Sequence, residues 1–536
     1  MEGRRKCYNM SMSKLNYDGP IVLVLMDGVG LSDETEHNAV KQAHLETLND
    51  LMQKYPCAKL GAAGKYVGVP DGDMGNSEVG HNAMGAGEIV LQRSAAVEDA
   101  VNTGKIFDTQ TWKDIVTKVT KNGSTLHFMG IYSDGNIHSN TDHLEKMVVQ
   151  AQKDGIQHIR VHALIDGRDV PPQSEPKYIQ RFEKLVADLG NPDYKIASGG
   201  GRMVMTADRY ENDWGMVELG WRTSVQGEGR QFASATEAIE TYRQENPGLQ
   251  DQYMPPFVVA ENGEAIGKIR TGDALIYIDF RADRAVEMAQ AFTYNDFDHF
   301  DRGERPDIYF AGMTEYNEDL HVPEHVLVGS PVFRHTLTQH LAERGIKQYA
   351  ISETVKFGHI TYYFNGNSYV VPEGEVEEEV ASYLEPFNTR PWMKSAEITD
   401  KLVDAIKSNK YKFLRINYPG GDMVGHFAEM EPTINAMESI DISIKRIVEE
   451  VNKLGGITVI TADHGNAEEL ADEQGNPKTS HTTNRVPCIF VDETENAQKY
   501  QLADGDFGLA NLASTITLLA GEEPDAQWLP PIIDLK

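Results

Sequence analysis

The chain has 536 residues, 40% hydrophobic and 25% charged, with a formal net charge of -32. That length exceeds one ordinary domain, and the composition is that of a globular protein with enough apolar side chain for a sizeable core. Such an acidic chain repels polyanions, which argues against nucleic acid or an anionic membrane surface as partner, and no apolar run is long enough to span a bilayer. Its 3 cysteines, Cys7, Cys57 and Cys488, are scattered without a Cys-x-x-Cys pair. They indicate neither a disulfide framework nor a thiolate zinc site. Residues 1–20 are basic and then polar, without the apolar stretch of a secretory signal, and are expected to form a disordered tail.

In chain order, short β-rich runs each lead into a polar or glycine-rich loop. Ile21–Met26 leads into Asp27-Gly28, Thr125–Ile131 into Tyr132-Ser133-Asp134-Gly135, and His158–Ile165 into Asp166-Gly167-Arg168-Asp169. Ala274–Ile278 leads into Asp279-Phe280-Arg281, Phe413–Ile416 into a loop holding Asp422 and His426, and Ile457–Ile460 into Asp463-His464-Gly465-Asn466. Strands apolar along their whole length suit sheets covered on both faces. Between them lie helical patterns, the clearest over Ile434–Leu454, where Gly455-Gly456 supplies a stop. The alternation predicts an α/β architecture with mostly parallel sheets, whose ligands gather at the carboxyl ends of the strands. A polar, acidic stretch at 316–331 is a candidate boundary.

Metal-ligand types cluster in two distant parts of the chain. Asp27 and the run Asp73–His81 are early; Asp422, His426, Asp463, His464 and His481 are late. Carboxylate and imidazole without thiolate suit Mn²⁺, Zn²⁺, Mg²⁺ or Co²⁺, and two such ions would clamp the attacking and leaving oxygens of a transferred phosphoryl group. Taken singly, Asp27 reads as a turn residue, Asp422 and His426 as a helical i, i+4 pair, and His81 as structural. Ser77 follows a turn-rich segment and precedes small residues. Alone it reads as a helix N-cap, but at a loop-to-helix junction it also has the positive end of a helix dipole beside it. No Gly-x-Ser-x-Gly elbow surrounds it, so a metal-activated serine fits better than a hydrolase triad.

The middle of the chain carries His138, Arg168, Asp169, Arg202, Arg209, Arg281 and Arg284. Each arginine alone reads as a surface ion pair, but guanidinium forks bind carboxylate and phosphate, so together they suit a substrate with both groups. Asp169, beside Arg168, is a candidate general acid or base. If the early and late ligands share one site, the middle segment leaves that domain and returns, as an inserted domain.

The motifs VLMDGVG, DMGNSEVGHNAMGAG, SDGNIHS, DGRD, GGGR…DRYENDW, DFRADR, SETVKFGHITYYFNG, DMVGH and ADHGN occur in this order over nearly the whole chain. Together they resemble the cofactor-independent phosphoglycerate mutases of the alkaline-phosphatase-like superfamily. The resemblance implies a two-domain α/β fold, with an alkaline-phosphatase-like metal domain from 1–91 and 329–536 and an inserted α/β substrate-binding (transferase) domain over 92–328. It implies Asp422, His426 and His481 as ligands of one metal ion, and Asp27, Asp463, His464 and the Ser77 oxygen as ligands of a second. The ions would be Mn²⁺, with Mg²⁺ or Co²⁺ as alternatives, and no 2,3-bisphosphoglycerate would be needed. Ser77 would carry the phosphoryl group, Lys356 would contact it, and His138, Arg168, Asp169, Arg202, Arg209, Arg281 and Arg284 would bind and reorient the glycerate. A cytoplasmic monomer interconverting 3- and 2-phosphoglycerate is then expected, with neither nucleic acid nor membrane as partner. The rivals are a phosphatase or sulfatase of the same superfamily, a phosphopentomutase, and a non-catalytic metabolite-binding protein.

Overall fold

The computed structural model describes residues 14–209, 211–317, 321–329, 333–472 and 474–536. The chain divides into two compact units, one made of Met1–Gln92 with Val332–Lys536 and the other of Arg93–Pro331.

The discontinuous unit is built on a seven-stranded sheet in the order Glu375–Val380, Gln348–Glu353, Phe413–Tyr418, Ile21–Met26, Ile457–Thr461, Val486–Asp492, Cys57–Leu60. The first five strands run parallel and the last two pairings are antiparallel. Ile21–Met26 sits in the middle, with every residue buried, because helices cover both faces of a parallel sheet. One covering helix, Met430–Lys453, buries Met437, Ile440, Ile444, Ile447 and Val451 at helical spacing and ends at Gly455, which adopts φ +69°. The edge strand Glu375–Val380 (EVEEEV) escapes a hydropathy reading because four of its six residues are glutamate. Its carboxylates have partners: Arg415 and Glu375 form a buried pair at 2.5 Å, and Tyr349 donates to Glu378 at 2.5 Å. A charged edge strand also resists pairing with other chains.

The second unit has an eight-stranded sheet. Its main path runs Tyr309–Gly312, Ala274–Tyr277, Thr125–Ile131, His158–Ile165, Tyr194–Gly201, Phe257–Glu261, Arg230–Phe232, with Glu264–Ala265 paired to Phe257–Glu261. The first five strands are parallel.

Two expectations need correction. Residues 14–20 are not a disordered tail: Leu15 and Tyr17 are buried, and the Tyr17 hydroxyl donates to Asp492 at 2.7 Å. The rest of the expected tail, residues 1–13 with Cys7, lies outside the described residues. Ala274–Tyr277 stops one residue short of the predicted strand, while Phe413–Tyr418 runs two residues longer. No helix among the described residues is long and apolar enough to cross a membrane.

Candidate active site

In the discontinuous unit, the carboxyl ends of the parallel strands converge on Ser77. Asp27 directly follows Ile21–Met26, and Asp463-His464 lie just beyond Ile457–Thr461. Asp422 lies in the short helix Gly420–Gly425 after Phe413–Tyr418, and Lys356 in Thr354–Gly358 after Gln348–Glu353. Two close approaches make this convergence possible. Gly28 turns at φ +76°, and a Cβ there would lie 2.6 Å from the Asp422 backbone. A Cβ on Gly80 would lie 2.7 Å from the Asp463 carbonyl, so glycine lets the Ser77 helix press onto the Asp463 loop.

Ser77 is not the N-cap. Asn76 caps the helix Ser77–Ala86 by accepting from the Val79 N–H at 2.9 Å, and Ser77 is its first residue. That frees the Ser77 hydroxyl, which lies 3.2 Å from Asp27 Oδ1 and 2.9 Å from His464 Nε2 and accepts a hydrogen bond from Lys356 Nζ. Lys356 also donates to Asp27 Oδ1 at 2.8 Å and to Asp422 Oδ2 at 2.7 Å. Burial opposes its charge, but Asp27, Asp422 and Asp463 push the ammonium pKa up.

Asp422 Oδ1 faces two imidazoles, with His426 Nε2 at 3.1 Å and His481 Nε2 at 3.0 Å. Those two nitrogens are 3.2 Å apart. Each ring's other nitrogen points at a carbonyl, His426 Nδ1 at Thr479 (2.6 Å) and His481 Nδ1 at Gly75 (2.8 Å). A carbonyl can only accept, so in the neutral rings the protons sit on Nδ1 and the Nε2 lone pairs turn toward Asp422. Three lone pairs meeting at one point is the arrangement a cation requires, and carbonyls behind the rings are the usual way such imidazoles are fixed. Around Ser77, His464 Nε2 lies 3.5 Å from Asp27 Oδ1, 3.6 Å from Asp463 Oδ2 and 3.8 Å from Asp422 Oδ1. Three buried carboxylates therefore face one buried ammonium, and Asp422 Oδ1 and Asp463 Oδ2 have no hydrogen-bond partner. This excess of buried negative charge fits divalent cations. Burial, then the neighbouring Asp463, raises the Asp27 pKa. Burial works the same way on Asp422, but the charge of Lys356 holds that carboxyl well below the usual range.

His81 is no ligand despite its place beside Asp463. Its Nδ1 donates to the Ser77 carbonyl at 2.7 Å and its Nε2 accepts from Asn417 Nδ2 at 3.1 Å, so neither nitrogen offers a free lone pair. Sequence reasoning missed Asn417, which also donates to Asp27 Oδ2 at 2.7 Å, and Glu468. The buried Glu468 carboxylate accepts from the N–H groups of Gly30 and Asn466 (both 2.9 Å), Thr482 Oγ1 (2.5 Å) and Asn484 Nδ2 (3.0 Å). It ties together the loops that carry His464 and His481. A carboxylate within ADHGNAEE was its signal.

In the Arg93–Pro331 unit, the expected substrate contacts gather beyond the ends of four neighbouring strands. Arg202 is buried and donates to Asp166 Oδ1 at 2.7 Å and Asp169 Oδ2 at 2.5 Å. Asp166 Oδ1 also accepts the N–H groups of Arg168 (3.2 Å) and Asp169 (3.1 Å), so it shapes the loop that presents both. Asp283 plays the same part on the other side, with Arg209 Nη2 at 2.6 Å, Arg281 Nη2 at 3.3 Å and His138 Nδ1 at 3.4 Å. Arg284 is anchored on the Ala207 carbonyl at 2.6 Å. Burial, then the charge of Arg202, depresses His138 to about 4, so the ring is neutral near pH 7. Asp166 and Asp283 were visible only as members of DGRD and DFRADR; their organising role depends on long-range geometry.

Comparison with known proteins bears on both units. A family model described as BPG-independent PGAM N-terminus (iPGM_N) matches residues 97–318. A probable 2,3-bisphosphoglycerate-independent phosphoglycerate mutase of Leptospira interrogans is 44% identical over 532 residues, covering 96% of this chain and 97% of that protein. The chain belongs to the 2,3-bisphosphoglycerate-independent phosphoglycerate mutases. The Trypanosoma brucei brucei mutase is 42% identical over 540 residues, covering 96% of this chain and 97% of its own. Among solved structures, a Leishmania mexicana phosphoglycerate mutase determined at low cobalt concentration aligns over 98% of this chain and 99% of its own, at 38% identity and a TM-score of 0.60. The mutase family thus accounts for the two-unit α/β architecture and for nearly every residue of the chain.

Proposed function

We propose that this mutase interconverts 3-phosphoglycerate and 2-phosphoglycerate without 2,3-bisphosphoglycerate, using Ser77 to take up the phosphoryl group and return it to the other glycerate hydroxyl. The observation that carries this reading is the setting of the Ser77 hydroxyl, buried at a helix start and touched by Lys356, His464 and Asp27.

Asp422, His426 and His481 would hold one divalent cation, and Asp27, Asp463, His464 and the Ser77 oxygen a second. Mn²⁺ is the first choice, with Mg²⁺ or Co²⁺ as alternatives; cobalt accompanies the Leishmania relative. When bound, such ions supply Lewis-acid stabilisation of the charge that gathers on a transferring phosphoryl group. The chain's own residues do the rest. Lys356 donates to Ser77 Oγ and so lowers the cost of negative charge on that oxygen as it attacks phosphorus. The first-turn N–H groups of Ser77–Ala86 offer an anion a second set of donors.

Arg168, Arg202, Arg209, Arg281 and Arg284 would grip the carboxylate and phosphate of the substrate, held in place by Asp166 and Asp283. The glycerate stays bound while the phosphoryl group is on Ser77 and turns to present its second hydroxyl. Asp169, fixed by Arg202, would take that proton, and neutral His138 would orient the same oxygen. Exclusion of water during this step separates a mutase from a phosphatase. The reaction places the enzyme in glycolysis and gluconeogenesis, and we infer a cytoplasmic monomer.

Phosphorus NMR with 3-phosphoglycerate, with and without Mn²⁺, tests the reading. Metal-dependent appearance of 2-phosphoglycerate, lost in Ser77→Ala, is expected. Release of inorganic phosphate alone would replace the mutase reading with a phosphatase one.

A further inference from the structure

A second set of nitrogen and carboxylate groups lies in the discontinuous unit, away from Ser77 and unused by the mechanism. It is formed by His335 just before the helix Leu337–Ala342, His340 within it, and the loop after Asn511–Leu519. One ring nitrogen each of His335 and His340 and a carboxylate oxygen of Asp525 lie within 4.8 Å of one another. His335 Nδ1 is 3.0 Å from Asp525 Oδ2.

The tautomers decide how this cluster is read. His340 is only 3% exposed, and its Nε2 lies 2.9 Å from the Glu523 carbonyl. A carbonyl only accepts, so the proton of the neutral ring is on Nε2 and the lone pair on Nδ1. That Nδ1 is buried and has no hydrogen-bond partner. Burial also lowers the pKa of the ring, keeping that lone pair free. His335 adds a second ring, with Nδ1 facing Asp525 and Nε2 buried without a hydrogen-bond partner, 3.3 Å from Glu343 Oε1. The Glu523 carbonyl thus backs the His340 ring. This backing fixes the orientation of metal-bound histidines. An ordinary ion pair between His335 and Asp525 accounts for two of the groups but leaves the buried His340 Nδ1 without a reason.

We propose that His335, His340 and Asp525 form a divalent-cation site separate from the one around Ser77. Two imidazoles and one carboxylate select Zn²⁺, Co²⁺ or Ni²⁺ over Mg²⁺ or Ca²⁺, with water completing the shell. An ion there clips the C-terminal loop to the helix Leu337–Ala342. The loop carries Trp528, whose indole packs against both rings, with ring centroids 4.8 Å from His340 and 6.1 Å from His335. Its emission therefore reports occupancy.

The test strips the full-length protein of metal and titrates it with Zn²⁺, counting bound ions by equilibrium dialysis, and with Ni²⁺, following tryptophan fluorescence. Wild type should bind one equivalent more than Asp525→Asn or His340→Asn, while Asp525→Asn keeps full mutase activity at saturating Mn²⁺. Ni²⁺ should quench wild type more than either variant, and Trp528→Phe should remove that difference. Equal stoichiometry in wild type and Asp525→Asn, with no quenching that depends on Trp528, overturns the proposal. Should His340→Asn fail to fold, Asp525→Asn decides alone, because its side chain lies in the loop.

Discussion

Replacing Lys356 with Met tests whether ammonium and metal compensate the same buried carboxylates. Lys356 Nζ lies 2.8 Å from Asp27 Oδ1 and 2.7 Å from Asp422 Oδ2, and all three side chains are buried. Coulomb attraction at such distances is about 6 kcal/mol per pair at an effective dielectric constant of ~20. Desolvation takes back much of that, and losing one partner of a buried ion pair costs about 3–5 kcal/mol. Scanning calorimetry of the metal-stripped protein should therefore show the Lys356→Met transition lower by roughly 5–8 °C. Saturating Mn²⁺ should raise the variant more than wild type, because the cation restores compensation the variant lacks. Mutase turnover should remain depressed by about 10²–10³-fold with metal present, since the donor to Ser77 Oγ is gone. Metal-free Lys356→Met melting within about 2 °C of wild type, or an equal Mn²⁺ gain in both proteins, would refute the reasoning.

Asp283→Asn should raise KM for 3-phosphoglycerate by about 10-fold or more with a smaller change in kcat, because it loosens Arg209, Arg281 and His138 together; steady-state kinetics checks this. Asp279 is held by burial at about 7, raised from its ordinary value, so the stability it contributes is full at low pH and is lost as pH rises through about 7. Asp279→Asn should therefore gain in melting temperature relative to wild type between pH 5 and pH 8, and a difference that stays constant with pH would count against this. Glu468→Gln places an amide against donors and should weaken Mn²⁺ binding by about 10-fold in a titration of metal-stripped protein.

Much of the site was legible because its chemistry sits where the fold puts it. Runs such as Ile21–Met26 and Ile457–Thr461 announce buried parallel strands, and in such sheets the residues just beyond them are where ligands collect. The motif resemblance brought Lys356 into the same set, although its place after Gln348–Glu353 could not be read from hydropathy. Other features depend on partners far along the chain. Glu375–Val380 looks like a solvated charge run until Arg415, Tyr349 and Asn365 are set beside its glutamates. Asn417 shares an otherwise apolar strand with Arg415, and only the fold puts its amide between His81 and Asp27. Ser77 looked like a cap because helix boundaries carry an uncertainty of a residue or two, and the neighbouring Asn76 is what caps the helix.

The central position of Ile21–Met26 has a consequence for synthesis. The nearer in sequence of its two sheet partners, Phe413–Tyr418, is encoded almost 400 residues later and Ile457–Thr461 later still, so at about 5–20 residues per second the strand waits roughly 20–80 s for its first neighbour. During that interval a wholly apolar segment has both edges unpaired, while the Arg93–Pro331 unit has its entire sequence out ahead of those partners. The nascent chain should therefore recruit holding chaperones early, and shortening the wait by circular permutation should raise the soluble yield at a given expression rate.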